Sequence, residues 1–207
     1  MEGLEAFDTA NQASWNKDYI KNSPLWPYCG NSLEIWKCPA DDSTATFSGF
    51  TLPRIRTMSM NYWLGGAGGK PYTSGIPFSD TNPDGTPLGT IYHKFSEIQG
   101  KGGVTSIFVF LDMRKDSVNN GNFGTCMDGY PGNSSKYQFW DLPGMAHSRG
   151  CSFSYADGHA EGHKWTDSRT TKPYYTPANT QPPTSWTIFT SSGNQDIGWL
   201  QDHATRP

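Results

Sequence analysis

The sequence has no apolar run long enough to cross a bilayer, which takes about 20 residues as a helix. It opens on MEGLEAFDTANQASW, which carries neither the charged region nor the apolar region of an export signal. The expectation is therefore either a cytosolic protein or one whose leader has been removed. No basic stripe is present: 16 Lys and Arg stand against 19 Asp and Glu, for a formal charge of −3. That balance argues against a nucleic-acid partner. There is no C-x-x-C pair, so a structural zinc ribbon is not expected. A P-loop, a dinucleotide fingerprint, a nucleophile elbow and an H-E-x-x-H helix are all missing, which removes the commonest nucleotide, hydrolase and metalloprotease readings. Aliphatic residues are also scarce, with only 34% of the chain hydrophobic.

What replaces them is aromatic: 14% of the residues, including eight Trp. A core built here rests on a few large rings, each removing much apolar area from water. With 23 Gly and 15 Pro, short strands, many turns and long loops are expected within one domain of 207 residues. VTSIFVFLDM is the strongest strand, apolar on both faces and so central in a sheet. RIRTMSMNYWLGG alternates as a half-buried strand does. YQFWDL is another strand candidate. HKFSEIQG predicts one or two helical turns, and DIGWLQDHATRP one more. Residues 9–28 have weak helical character that stops at SPLWPYCG. Residues 64–90 and 114–135 are turn-rich loops, and the segment after Trp165 is an irregular surface wrap.

Four cysteines leave two readings open. Cys29 and Cys38 flank a short loop and pair, leaving Cys126 with Cys151; or all four are free, buried thiols. In SDTNPDG, Asp80, Asn82 and Asp84 have the oxygen spacing of a calcium loop, with Gly85 at the bend. The bidentate acid is missing, since Ile91 holds its position, and Asx turns explain the string without metal. Calcium is retained as an alternative cofactor; no other is implied. Trp63 and Trp140, with Tyr174 and Tyr175, are the candidates for a platform that stacks sugar rings.

HSRGCSFSYADGHAEGHKW gathers polar residues on a predicted hairpin. Cys151, Phe153 and Tyr155 share one face. Asp157 and Gly158 make a two-residue turn. His147 then lies at the opposite end from Asp157, so the two form no acid–base dyad. His159 and His163 sit about 13 Å apart along a strand, too far to share one metal. The polar groups therefore chiefly shape backbone.

This stretch, His147 followed nine residues later by Asp157-Gly158, resembles the H-X9-DG signature of prepilin-type processing-associated, pseudopilin-like proteins. EIWKCPADD resembles the family's Cys-Pro-Ala-Asp segment, RTMSMNYWLGG its Ser-Met-Asn strand, and TSIFVFLDMRKDSVNNGNF its Phe-Leu-Asp strand and following loop. DGHAEGHKWTDSRTTKP and DIGWLQDHATRP resemble its C-terminal end. The resemblance implies a mostly β, α+β head with a central antiparallel sheet, long loops and an extended C-terminal segment over 166–207. Residues 1–25 are then the remnant of a linker or helix. It implies a periplasmic or cell-surface location, with a membrane contact only through an N-terminal helix that this sequence does not carry. Related pseudopilins of type II secretion hold calcium in a C-terminal loop, but no stretch here matches that loop.

The preferred expectation is a non-enzymatic head that binds secretion or pilus-like assembly components, or a polysaccharide cargo. The alternative is a polysaccharide lyase acting on uronate glycans by β-elimination, with His147, Arg149, Tyr155, His159 and His163 as its base, acid and carboxylate-neutralising groups. A calcium-stiffened structural module is the third reading.

Overall fold

The computed structural model describes residues 16–47, 50–66, 88–98, 102–115, 117–118, 121–172 and 189–206. The described part opens with helix α1, Lys17–Lys21, whose first turn is capped by the Asn16 side chain accepting from the Asp18 amide. Single 3-10 turns follow at Trp26–Cys29 and Glu34–Trp36. Strands β1, Thr44–Phe47, and β2, Phe50–Pro53, pair antiparallel on their own. Strand β3 is Met58–Asn61, and β4 is Phe108–Asp112. Then come β5, Asn122–Phe123; β6, Gln138–Phe139; β7, Gly150–Tyr155; and β8, Ala160–Lys164. Strand β9, Phe189–Thr190, pairs with β6, and helix α2, Gln195–Ala204, ends the chain. The fold is α+β and mostly β. No helix among the described residues is long and apolar enough to cross a membrane.

Five strands form the central sheet in the order β5-β3-β4-β7-β8. Strand β4 is the middle one, as its apolar composition predicts. The sheet is mixed, not wholly antiparallel: β5 runs parallel to β3, with Met60 opposite Asn122. The chain leaving β4 crosses β3 before pairing, so it lays β5 down in the direction of β3. Between Phe108 and Phe110 the β4–β7 register shifts. That irregularity lets Phe108 and Leu111, three positions apart, both reach the core.

The core fills one face of this sheet. Phe108, Phe123, Phe153 and Trp165 meet edge to face, with ring centroids 5.4–6.2 Å apart. Helix α2 covers them. Ile197, Leu200, Gln201 and Ala204 are its buried stripe, the spacing of one helical face. It is a ten-residue helix rather than one turn. Its start is set by Asn194, which caps the Asp196 amide, and by buried Asp196, which accepts from the Thr166 and Asp167 amides and the Thr166 and Thr170 hydroxyls. Its end is held by Asn61 of β3, whose amide donates to the Ala204 and Phe108 carbonyls. The described parts of the segment after Trp165, residues 166–172 and 189–206, thus supply part of the core; the rest of the expected surface wrap lies outside the described residues.

Candidate functional site

The β7–β8 hairpin divides the predicted site residues between its two ends. At the closed end the loop holds three residues, not two. Tyr155 receives the Gly158 amide and donates to the His159 carbonyl, and Gly158 has φ +92°. This is a turn plus a bulge, with glycine at the left-handed position. Asp157 Oδ1 accepts from the His159 amide at 3.1 Å and meets its ring Nδ1 at 2.6 Å. Those contacts hold the Asp157 carboxyl below its ordinary proton affinity. The His159 ring stacks on Tyr155 at 4.3 Å, and the Tyr155 hydroxyl donates to Glu161 at 2.7 Å. Burial, then Glu161, pushes the Tyr155 phenol upward.

His163 stacks instead on Trp199 of α2, at 3.7 Å, and His203 stacks on the same indole at 4.1 Å. Burial lowers the proton affinity of both imidazoles. The His163 stack ties β8 to α2, and His203, on α2 itself, meets Tyr155 of β7 edge-on at 6.3 Å. Arg149, at the other end, is exposed and donates to the Thr171 hydroxyl. The five residues considered for a lyase are therefore spread along the hairpin and engaged with different partners; they do not surround one substrate position.

Two of the proposed sugar-stacking rings are also elsewhere. Trp63 is fully buried and its indole donates to the Thr125 carbonyl; Trp140 is buried too. Both belong to the core, because the few rings of this chain must supply its apolar volume. Tyr174, Tyr175 and the calcium candidates Asp80, Asn82 and Asp84 lie outside the described residues.

The cysteines are all free thiols, so neither the Cys29–Cys38 nor the Cys126–Cys151 bridge forms. Their surroundings differ. Cys29 is half-buried. The Cys126 thiol, pushed up to about 12 by burial, receives the Gln138 amide. Cys151, pushed higher still by burial, donates to the Asp112 carbonyl at 3.1 Å. Cys38 faces the ring of His147, with Sγ 3.4 Å from Nε2.

That last contact belongs to a cluster at the open end of the hairpin. One ligand-class atom from each of Cys38, Asp112 and His147 lies within 4.8 Å of the others. The backbone explains how they meet. The Thr57 amide donates to the Trp36 carbonyl at 2.9 Å, and the Cys38 amide to the Thr57 hydroxyl at 2.9 Å. Thr57 thus carries the Cys38 segment to the start of β3, where Met58 pairs with Asp112 at the end of β4. His147 arrives from the other side, in a turn whose Ser148 and Arg149 have φ of 53° and 66° and which feeds β7. Gly144 packs directly on Asp112: its amide donates to the Asp112 carbonyl at 2.7 Å, and a Cβ there would come within 2.9 Å of Oδ2.

The electrostatics are those of a buried acid beside a buried thiol. Burial pushes the Asp112 carboxyl up, against hydrogen bonds from Thr57 and Cys38 and the pull of His147. Burial also raises the Cys38 thiol, and the charges of Asp112 and Asp41 add to that rise. A cysteine nucleophile needs the opposite, a depressed thiol and an acid behind the far nitrogen of its histidine. Here Asp112 makes no hydrogen bond to His147 among the described residues, and Cys38 is 1% exposed. Three donor atoms converging on one point, with one carboxylate oxygen, Asp112 Oδ1, buried and unpartnered, are instead the arrangement of a cation site.

Residue-by-residue reading misses this cluster. Its three members lie in separate stretches, and neither the calcium-like spacing of Asp80, Asn82 and Asp84 nor the His-rich hairpin points to it. The signal lay in the set: Cys38, Asp112 and His147 each sit in one of the separate stretches that carry the pseudopilin-like resemblance. No protein-family model, no curated protein and no solved structure matches this chain.

Proposed function

We propose that this chain is the non-enzymatic globular head of a pseudopilin-like export or surface-fibre protein, working by contact with an assembly partner or a polysaccharide cargo. The observation that carries the reading is the meeting of motifs. Cys-Pro-Ala-Asp, Ser-Met-Asn, Phe-Leu-Asp and H-X9-DG are distant in sequence, yet each supplies a residue that ties elements of the sheet together: Cys38, Asn61, Asp112 and His147. The spread of His147, Arg149, Tyr155, His159 and His163 weighs against the lyase. Four of the six exposed large apolar side chains among the described residues, Tyr19, Leu25, Tyr28 and Ile35, fall in one stretch near the start. They supply a contact surface outside the core.

The test is location and company in producing cells. The reading expects the chain in the envelope and in shear-released surface material, with photo-crosslinks from position 28 to pilus-type subunits. A chain found wholly in the cytosolic fraction contradicts it. So does release of unsaturated product from a uronate glycan that stops in His147→Ala or His159→Ala.

A further inference from the structure

We infer that Cys38, Asp112 and His147 bind one zinc-class divalent cation, which clips the Cys38 segment and the turn before β7 to the end of β4. The inference stands on the geometry of this cluster and does not depend on the pseudopilin-like reading.

The donor set chooses the metal. Calcium and magnesium take oxygen ligands, whereas a thiolate, an imidazole and a carboxylate together are a zinc set. Distance agrees. Sulfur and nitrogen bound tetrahedrally at about 2.3 and 2.0 Å stand roughly 3.5 Å apart, and Cys38 Sγ and His147 Nε2 are 3.4 Å apart. Asp112 closes the third side, with all three ligand atoms inside 4.8 Å. It is 3% exposed, and its Oδ1 is buried without a hydrogen-bond partner. A buried acceptor left unmatched calls for an explanation, and a cation provides one.

The surrounding shell is also in place. The Thr57 hydroxyl receives the Cys38 amide, and the next residue, Met58, pairs with Asp112, so one short segment positions two ligands. Asp41, whose carboxylate is 7% exposed, adds negative charge near both. His147 is exposed. It gives the ion a way in and leaves a fourth position for water. On binding, the Cys38 S–H bond breaks, a sulfur–metal bond forms and the proton leaves to solvent. Affinity therefore falls with acid.

The experiment uses the whole chain, stripped with a chelator and dialysed against zinc. It expects one zinc per chain and a melting temperature raised by roughly 5–10 °C at free zinc about 100-fold above the dissociation constant. Cobalt replaces zinc as the spectroscopic probe and should give a thiolate-to-metal charge-transfer band. Cys38→Ser abolishes that band. His147→Ala, a change at an exposed side chain that keeps the fold, weakens binding at least tenfold. Cys29→Ser leaves both readings unchanged. Failure of the stripped chain to bind zinc in the micromolar range overturns the inference. So does a band that survives Cys38→Ser, or wild-type affinity in His147→Ala.

Discussion

The two ends of the β7–β8 hairpin are built from similar residues and do opposite things. At the closed end, Asp157, His159, Tyr155 and Glu161 are separated by no more than six positions and satisfy one another. At the open end, Cys38 and His147 are 109 positions apart, and the cluster they share with Asp112 keeps an unmatched buried oxygen. Polar residues close in sequence settle their hydrogen bonds locally and shape a turn. Polar residues delivered from distant strands are held by the sheet, and their unmet valence is left over for something else.

The comparison can be broken most forcefully at its shared centre. Phe153 lies between the two ends and meets Phe108, Trp165 and Trp199. Phe153→Ala is expected to cost about 3–5 kcal/mol, read as a lower denaturant midpoint with both ends lost together. Gly150→Ala acts at the open end only. Its Cβ would run into the His163 carbonyl and lie 3.0 Å from that of His147. A loss of about 2 kcal/mol is expected, with chemical shifts of His147 moving and those of His159 still. At the closed end, a Cβ on Gly158 meets nothing within 4 Å, so only its positive φ is penalised. Gly158→Ala should cost about 1 kcal/mol. If Gly158→Ala proved the costlier of the two glycine changes, the contrast between a crowded and an open end would be wrong.

The smallest effect is one of pH. His163 and His203 hold proton affinities below the ordinary 6.5, chiefly through burial against Trp199, which outweighs the pull of Asp196 and Glu161 on His163 and of Asp202 and Glu161 on His203. The unfolded chain then binds protons that the folded chain refuses. Their contribution is complete above pH 6.5 and declines as the pH falls below it. Urea midpoints at pH 7.5 and 5.5 should show this decline, and it should shrink in His203→Gln. A midpoint that rises on acidification has the wrong sign for these two imidazoles.

Much of the frame is legible in the residues, for local reasons. The β-branched and aromatic run through Phe108–Asp112 announces a central strand, and the alternation of Cys151, Phe153 and Tyr155 announces which face they bury. Gly158 announces a turn, though the three-residue loop shifts it by one position. Helix α2 is only half visible, because the cap formed by Asn194 and the acceptor work of Asp196 depend on Thr166, Asp167 and Thr170, a turn far upstream. Strand β5 is hidden, being two residues inside an Asn- and Gly-rich loop whose pairing is decided by β3. Composition also does not say which Trp is buried; Trp63 and Trp140 went to the core because packing demanded rings there. The Cys38–Asp112–His147 cluster is the least visible of all. It exists only through Thr57, the β3–β4 register and the turn before β7, none of which is a local property.

The most direct check on the contrast between the two ends is anomalous diffraction from crystals of the zinc-loaded protein. The account predicts one strong peak within about 2.0–2.4 Å of Cys38 Sγ, His147 Nε2 and an Asp112 carboxylate oxygen, and none beside His159 or His163. A peak at the closed end, or no peak among Cys38, Asp112 and His147, contradicts it.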